Sequence, residues 1–178
     1  FCAEECHHSA VVGLALQRHQ AIRQLNGILG RTHQHQFQLS IGHTGANYDQ
    51  AMAAIGLGVT RSTHTFNAMP PLHHRDGGAV AAGLLSDKAY CELICDGHHI
   101  SPEMVAFTYR MIGMDRLVLI SDSMEATALS DGEYSIAGLP VIVKDGVART
   151  ASGNLAGSTL SLIHGVENLA KFANIPIE

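Results

Sequence analysis

Short apolar segments and helical patterns alternate along the chain from Leu39 onward. Leu39–His43 is a short apolar segment, and Asn47–Leu57 carries a helical pattern of small residues closed by Gly56 and Gly58. Val59–Phe66 is β-branched and predicts a strand, with a Pro/His/Gly loop after it. Ala79–Leu85 predicts a short helix and Ala89–Cys95 a third strand. Pro102–Ile112 predicts a helix, with Ser101 as N-cap and Pro102 in the first turn. Arg116–Ser121 is apolar throughout its centre, as a parallel strand covered on both faces should be. Strand, loop, helix and strand repeating at about 20–30 residues is the signature of parallel βα units. The period then changes. Gly132–Arg149 predicts two or three antiparallel strands joined by Ala-Gly and Asp-Gly turns, and Ser158–Phe172 returns to helix. Ahead of all this, Ala10–Leu29 has a helical spacing of apolar residues, broken at Gly30.

Composition narrows the class. The 178 residues are 46% hydrophobic and 15% charged, with 18 Gly, which is globular and not disordered. The formal charge of 11 − 16 = −5 comes with no Lys/Arg block, so no nucleic-acid surface is expected. Apolar runs such as Ala10–Leu16 and Ala79–Leu85 are too short to span a bilayer, so no membrane partner is expected either. The chain begins at Phe1, so it is not expected to be a complete primary translation product, and no signal-peptide pattern follows Phe1. The cysteines fall as Cys2/Cys6 and Cys91/Cys95, both C-x3-C and unlike a zinc knuckle or redox pair. Cys91 and Cys95 read as buried reduced thiols, which implies a reducing, cytoplasmic compartment. The unusual count is histidine, at 12.

Chemistry collects at the predicted strand ends. His43 ends the first strand, His64 the second, Asp96-Gly97-His98-His99 the third and Asp122 the fourth. Parallel α/β folds, and (β/α)8 barrels above all, gather catalytic groups at the C-terminal ends of successive strands. A single histidine there would more often be structural; four consecutive strands each delivering a His or Asp would not. Two neutral imidazoles and a carboxylate suit a divalent metal, with zinc the expected ion. Asp122 would serve as general base beside a metal that brings the pKa of bound water toward neutrality.

Seven motifs, in order between about Ser40 and Ile163, carry a family resemblance. They are Ile41-Gly-His-Thr44, Thr63-His-Thr-Phe-Asn-Ala-Met69, Pro71-Leu-His-His-Arg-Asp-Gly-Gly78, Asp96-Gly-His-His99, Ser121-Asp-Ser-Met-Glu-Ala-Thr127, Asp131-Gly-Glu-Tyr134 and Leu155-Ala-Gly-Ser158. Together they resemble the N-acetylglucosamine-6-phosphate deacetylases of the amidohydrolase superfamily. The resemblance implies hydrolysis of the N-acetyl group of N-acetylglucosamine-6-phosphate to glucosamine-6-phosphate and acetate, a step of amino-sugar catabolism. It also implies a (β/α)8 barrel with a small β-sandwich, a homodimer in the complete protein, and one catalytic divalent metal. Position by position, His43 and His64 match the family's histidine metal ligands and Asp122 its catalytic aspartate. Asn67 and Ala68 match the segment contacting the sugar phosphate, the latter through its main chain. Arg75 matches the phosphate-binding arginine, and its planar donor fork suits that task. Asp96, Gly97, His98 and His99, with Leu155, Ala156 and Gly157, match further substrate contacts.

The expected architecture is therefore α/β. Residues 40–178 would be the C-terminal half of the enzyme, about the last four βα units of a TIM barrel with a small β-hairpin insertion. Residues 1–39 form a poorly matched N-terminal segment. The family's chain is about twice this length, and its glutamate metal ligand and a further histidine near the scissile amide have no counterpart motif here. Four βα units leave open sheet edges, so instability in isolation is expected. Two alternatives stay open: a non-catalytic partial chain of this fold, and an amidohydrolase acting on another amide. His73 and His74 read as solvated loop residues, Glu125 as a helix-start carboxylate, and His7, His8, His33 and His35 as exposed tail residues.

Overall fold

A computed structural model describes residues 9–12 and 38–177. The chain divides into two compact units, Phe1–Glu92 and Leu93–Glu178.

In the first unit the parallel strands β1 (Ser9–Val12), β2 (Gln38–Ile41), β3 (Arg61–Ser62) and β4 (Tyr90–Leu93) lie side by side in that order. Helices α1 (Tyr48–Gly56) and α2 (Gly78–Leu85) pack together over a core of Leu39, Ile41, Ala54, Ile55, Val59, Ala79 and Ala82. α1 begins where the sequence says it should. The Asn47 side chain accepts the Gln50 amide and the Gln50 side chain accepts the Asn47 amide, each at 3.0 Å, a reciprocal capping box. α2 carries Gly or Ala at five of its eight positions for a reason of distance. A Cβ on Gly83 would stand 3.4 Å from the Ser62 Cβ and 3.5 Å from the Cys91 sulfur, so the helix lies directly on β3 and β4.

The second unit opens with α3 (Pro102–Arg116), which is broken at Gly113, where φ is +67°. The break falls one residue past the predicted end at Ile112. Ser101 has the extended geometry of an N-cap but makes no side-chain cap bond. β5 (Leu117–Leu119) follows, and the next amide, Ile120, donates to the carbonyl of Leu93. A three-stranded antiparallel sheet comes next: β6 (Gly132–Ile136), β7 (Leu139–Lys144) and β8 (Val147–Thr150). Its turns, Ala137-Gly138 and Asp145-Gly146, have positive φ at both positions, the type I′ geometry that matches strand twist. Val141, Val143, Ala148, Ala156, Met124 and Ala126 form its core. α4 (Leu162–Ala173) closes the chain between a Ser161 N-cap and a left-handed Asn174.

Four expectations need correction. Ser9–Val12 is a strand paired in parallel with β2, so a helix cannot begin at Ala10; Gly13–Leu29 lies outside the described residues, as do Cys2, Cys6, His7, His8, His33 and His35. Val59–Phe66 contributes only Arg61–Ser62 to the sheet, because the chain turns at once and the Asn67 amide bonds back to the His64 carbonyl. The last helix starts at Leu162 and not at Ser158, whose amide and hydroxyl bond the backbone of Asp122 and Ser121. Glu125 starts no helix; it lies in a turn, where its carboxylate accepts the Ser135 amide. Cys91 and Cys95 are buried and not disulfide-bonded, as expected, and burial together with the charge of Asp96 pushes the Cys95 thiol up to about 12. No helix among the described residues is long and apolar enough to cross a membrane.

Replacing Asn47 with Ala removes one half of the capping box and should lower unfolding stability by about 0.5–2 kcal/mol. Chemical denaturation monitored by circular dichroism measures this, and an unchanged midpoint would show that α1 does not depend on its cap.

Candidate active site

His43 and His64 each stand two residues past a strand end, after β2 and β3. Their Nε2 atoms are 3.0 Å apart and their rings meet edge to face, at 80° between planes. The approach is possible because the residue before His43 is glycine. A Cβ on Gly42 would lie 2.8 Å from the Cβ of Thr63, the residue before His64. The Ser40 hydroxyl bonds the Thr63 hydroxyl and the Thr63 amide donates to the Ile41 carbonyl, which locks the two strand ends together. Both histidines are in the left-handed region, at φ +45° and +30°. Neither is glycine, so each conformation is uncommon and is held by its surroundings. At His64 the hold is visible: the Asn67 amide and side-chain nitrogen donate to its carbonyl at 2.9 and 3.3 Å.

The donor set can be tested against a metal. Two ligands at about 2.0–2.1 Å from a tetrahedral zinc ion would be roughly 3.3 Å apart, close to the Nε2 separation of 3.0 Å. His64 is only 7% exposed and its Nδ1 is buried without a partner. A cation facing both Nε2 lone pairs would fix the proton of each ring on Nδ1, the tautomer that ligating histidines take. The pair fits two of the ligands of a zinc-class site. Among the described residues, no third His, Cys, Asp or Glu joins it.

The other expected residues of this unit lie in the loop after β3. Asn67 is half-buried and folded onto His64; Ala68 is exposed, with φ +51°, and presents its main chain. His73–Asp76 forms a small loop in which His73 and Asp76 exchange backbone bonds, with Arg75 exposed at its tip. The rings of His73 and His74 lie against each other in solvent, with centroids 4.1 Å apart.

In the second unit Asp122 is exposed and left-handed, at φ +49°. Its carbonyl accepts the Ser158 amide at 2.7 Å, the Ser158 carbonyl accepts the Met124 amide at 2.9 Å, and the Ser158 hydroxyl donates to Ser121. Gly157, next to Ser158, has φ +62°, and a Cβ there would meet the Asp122 carbonyl, Ile136 and Met124 each at 3.2 Å. The Leu155-Ala-Gly-Ser158 segment therefore clamps the Asp122 turn. Asp96, His98, His99, Leu155 and Gly157 line one cleft of about 210 Å³, together with Ser158, Thr159 and His164. Ala156 does not line it; it is buried in the core of the antiparallel sheet. Gly97 is left-handed at φ +78° and turns the chain between Asp96 and His98. The Asp131 carboxylate accepts the Asp145 and Gly146 amides, so that motif serves the β7–β8 turn.

Sequence reasoning did not single out Gly42, Thr63, Ser158 or His164. The glycine immediately before a candidate ligand was the available signal for the first, since such a glycine often marks close backbone approach. Ser158 had none, because its partners Ser121, Asp122 and Met124 are distant in sequence.

An α/β chain whose polar side chains stand just beyond parallel strand ends is built in the manner of α/β enzymes. Comparison with known proteins gives the particular family. The chain is 44% identical over 144 residues to N-acetylglucosamine-6-phosphate deacetylase of Vibrio furnissii, covering 81% of this chain and 36% of that protein. It is 39% identical over 172 residues to N-acetylgalactosamine-6-phosphate deacetylase of Escherichia coli O157:H7, covering 95% and 44%. The structure of a Mycobacterium smegmatis N-acetyl-D-glucosamine-6-phosphate deacetylase variant, in complex with N-acetyl-D-glucosamine-6-phosphate, superposes with a TM-score of 0.86 at 32% identity, covering 94% of this chain and 43% of that one. No family model matches the chain. The chain belongs to the N-acetylglucosamine-6-phosphate deacetylase family, and it spans 36% and 44% of the length of the two curated relatives named.

Gly42→Ala should lower stability by about 1–3 kcal/mol, the cost of forcing a methyl group into a filled space, since the new Cβ would meet the Thr63 Cβ at 2.8 Å. A thermal-denaturation double-mutant cycle with Thr63→Gly reads the contact directly. Purely additive losses would mean that this approach does not set the spacing of the strand ends.

Proposed function

We propose that the chain carries part of the active site of a metal-dependent deacetylase acting on an N-acetylhexosamine 6-phosphate, with N-acetylglucosamine-6-phosphate as substrate and glucosamine-6-phosphate and acetate as products. The observation that carries the reading is the pair of strained, strand-end imidazoles with Nε2 atoms 3.0 Å apart, in a chain of this family. His43 and His64 would hold a divalent ion, for which zinc suits the imidazole donors, and when bound it would polarise the acetyl carbonyl.

The chain's own residues do the rest. Asp122, exposed and held by the Ser158 clamp, accepts a proton from the attacking water and returns it to the amide nitrogen as the C–N bond breaks, so that nitrogen leaves as a neutral amine. Arg75, with its guanidinium free to reach out of an exposed loop tip, recognises the phosphate through paired N–H donors. Asn67 and the main chain of Ala68 position the sugar, and His99, Leu155 and Gly157 complete its surroundings. The parallel strands are read as about the last four βα units of a (β/α)8 barrel, with β6–β8 as the small insertion and residues 40–178 as the matched C-terminal half. A homodimer of the complete protein and a cytoplasmic location accompany this reading; the reduced, buried Cys91 and Cys95 support the latter.

The epimer at the sugar C4 is a separate question. The relative that matches 95% of this chain is named for the galactosamine substrate, which favours a second reading in which N-acetylgalactosamine-6-phosphate is used. Comparing kcat/KM for the two epimers decides between them.

Two tests suit a polypeptide that also supplies the rest of the relatives' length. Arg75→Ala should reduce kcat/KM for the 6-phosphate by about 10–150-fold, equivalent to about 1.5–3 kcal/mol, and leave any use of unphosphorylated N-acetylglucosamine unchanged. Equal losses on both sugars would remove Arg75 from phosphate recognition. Asp122→Asn should lower turnover by roughly 10²–10⁴ with metal content intact by plasma emission analysis, whereas His64→Ala should lose the metal on dialysis. Full activity in Asp122→Asn, or stoichiometric metal in His64→Ala, would break the assignment of that residue.

A further inference from the structure

We propose that Asp96 is a positioning residue for His99 and does not itself touch substrate. The inference rests on the reading above only in taking the cleft beside His99 as part of the substrate site. Both carboxylate oxygens of Asp96 are already engaged within its own turn. Oδ1 accepts the backbone amides of His98 and His99, each at 2.8 Å, and Oδ2 is 2.6 Å from Nδ1 of the His99 ring. The side chain is 12% exposed and that of His99 7%, so neither group is free to swing away. Burial pushes the Asp96 carboxyl up, but the hydrogen bonds from the His99 ring and from the His99 and His98 amides, with the charge of His99, outweigh it and hold it below the usual carboxylate range.

An ionised carboxylate can only accept, so the ring nitrogen facing it must carry the proton. His99 is thereby fixed with its hydrogen on Nδ1, and Nε2 is the one ring atom left for a group entering the cleft that His99 lines. The positive φ of Gly97, +78°, makes the tight turn that lets one aspartate reach both amides and the ring three residues on. Carboxylate, oriented imidazole and cleft follow one another as in any site where a second residue sets the tautomer of the first.

The substitution that separates orientation from mere structure is Asp96→Asn. The amide oxygen can still take both backbone N–H groups, but the amide nitrogen is a donor and would face Nδ1. The His99 proton should then move to Nε2 while the heavy-atom contacts stay in place. Imidazole ¹⁵N–¹H correlation spectra read this, recorded on a polypeptide that also supplies the rest of the relatives' length, about two pH units above the ordinary histidine pKa of about 6.5. The native chain should show His99 with Nδ1 protonated, and Asp96→Asn should reverse the tautomer ratio by about tenfold or more. A native His99 protonated on Nε2, or evenly mixed, overturns the proposal without reference to any variant. An unchanged ratio in a folded Asp96→Asn chain overturns it equally. N-acetylglucosamine-6-phosphate is then titrated into both proteins. Shifts of the native His99 Nε2 resonance, with about tenfold weaker binding in Asp96→Asn, support the full proposal. If the tautomers behave as stated but the sugar phosphate moves no His99 resonance in either protein, Asp96 remains the positioning residue and the substrate reading of the cleft is what fails.

Discussion

The ends of β2 and β3 approach so closely that only glycine fits at position 42, and the imidazole pair exists because of that approach. A methyl group at Gly42 would collide with Thr63 at 2.8 Å, which is inside any tolerated carbon–carbon contact. Two hydrogen bonds, Ser40 to Thr63 and Thr63 to Ile41, hold the ends at this spacing. The next residue on each strand end is a histidine, and the Nε2 atoms of the two rings meet at 3.0 Å. The packing of two backbones thus becomes a paired donor set. No charged partner is needed to bring the rings together.

Backbone strain marks the same places. Among the described residues, nine other than glycine have positive φ, and His43, His64, Ala68 and Asp122 are four of them. Left-handed geometry costs roughly 1–2 kcal/mol for an ordinary residue, so each must be fixed by bonds made elsewhere. Asn67 does this for His64, and Ser158 does it for Asp122. In both cases the restraint acts on the backbone carbonyl of the strained residue, which leaves the side chain free for chemistry. Elsewhere in the motifs, Asp131 clamps a turn, Gly157 makes a close backbone approach and Ala156 packs in the core.

Much of this was legible in the sequence. The alternation of short apolar runs and helical patterns gave the parallel βα organisation, and the Asp-Gly and Ala-Gly pairs gave both type I′ turns. The helical pattern of Asn47–Leu57 announced α1, and the structure adds the Asn47–Gln50 capping box. Placing His43, His64, Asp96 and Asp122 just past strand ends required only that the strands end where their apolar runs do. These features are local, set by residues within a few positions of each other.

What the sequence left undetermined depends on partners far along the chain. The apolar residues near Ala10 suit either a helix or a strand, and pairing with β2 decided for the strand. Val59–Phe66 is rich in β-branched residues, yet the regular strand is only Arg61–Ser62, because the Thr65 hydroxyl and the amide of Asn67 are spent on a turn, while Thr60, Thr63 and Thr65 still bond neighbouring strands through their backbone. Ser158 stands shortly before a helix but is drawn to Asp122, 36 residues earlier, as a clamp. The identity of the candidate chemistry was therefore written in residue types and local spacing. The 3.0 Å convergence of the imidazoles and the left-handed strand ends were decided by tertiary packing, since both require backbones distant in sequence to come within contact of one another.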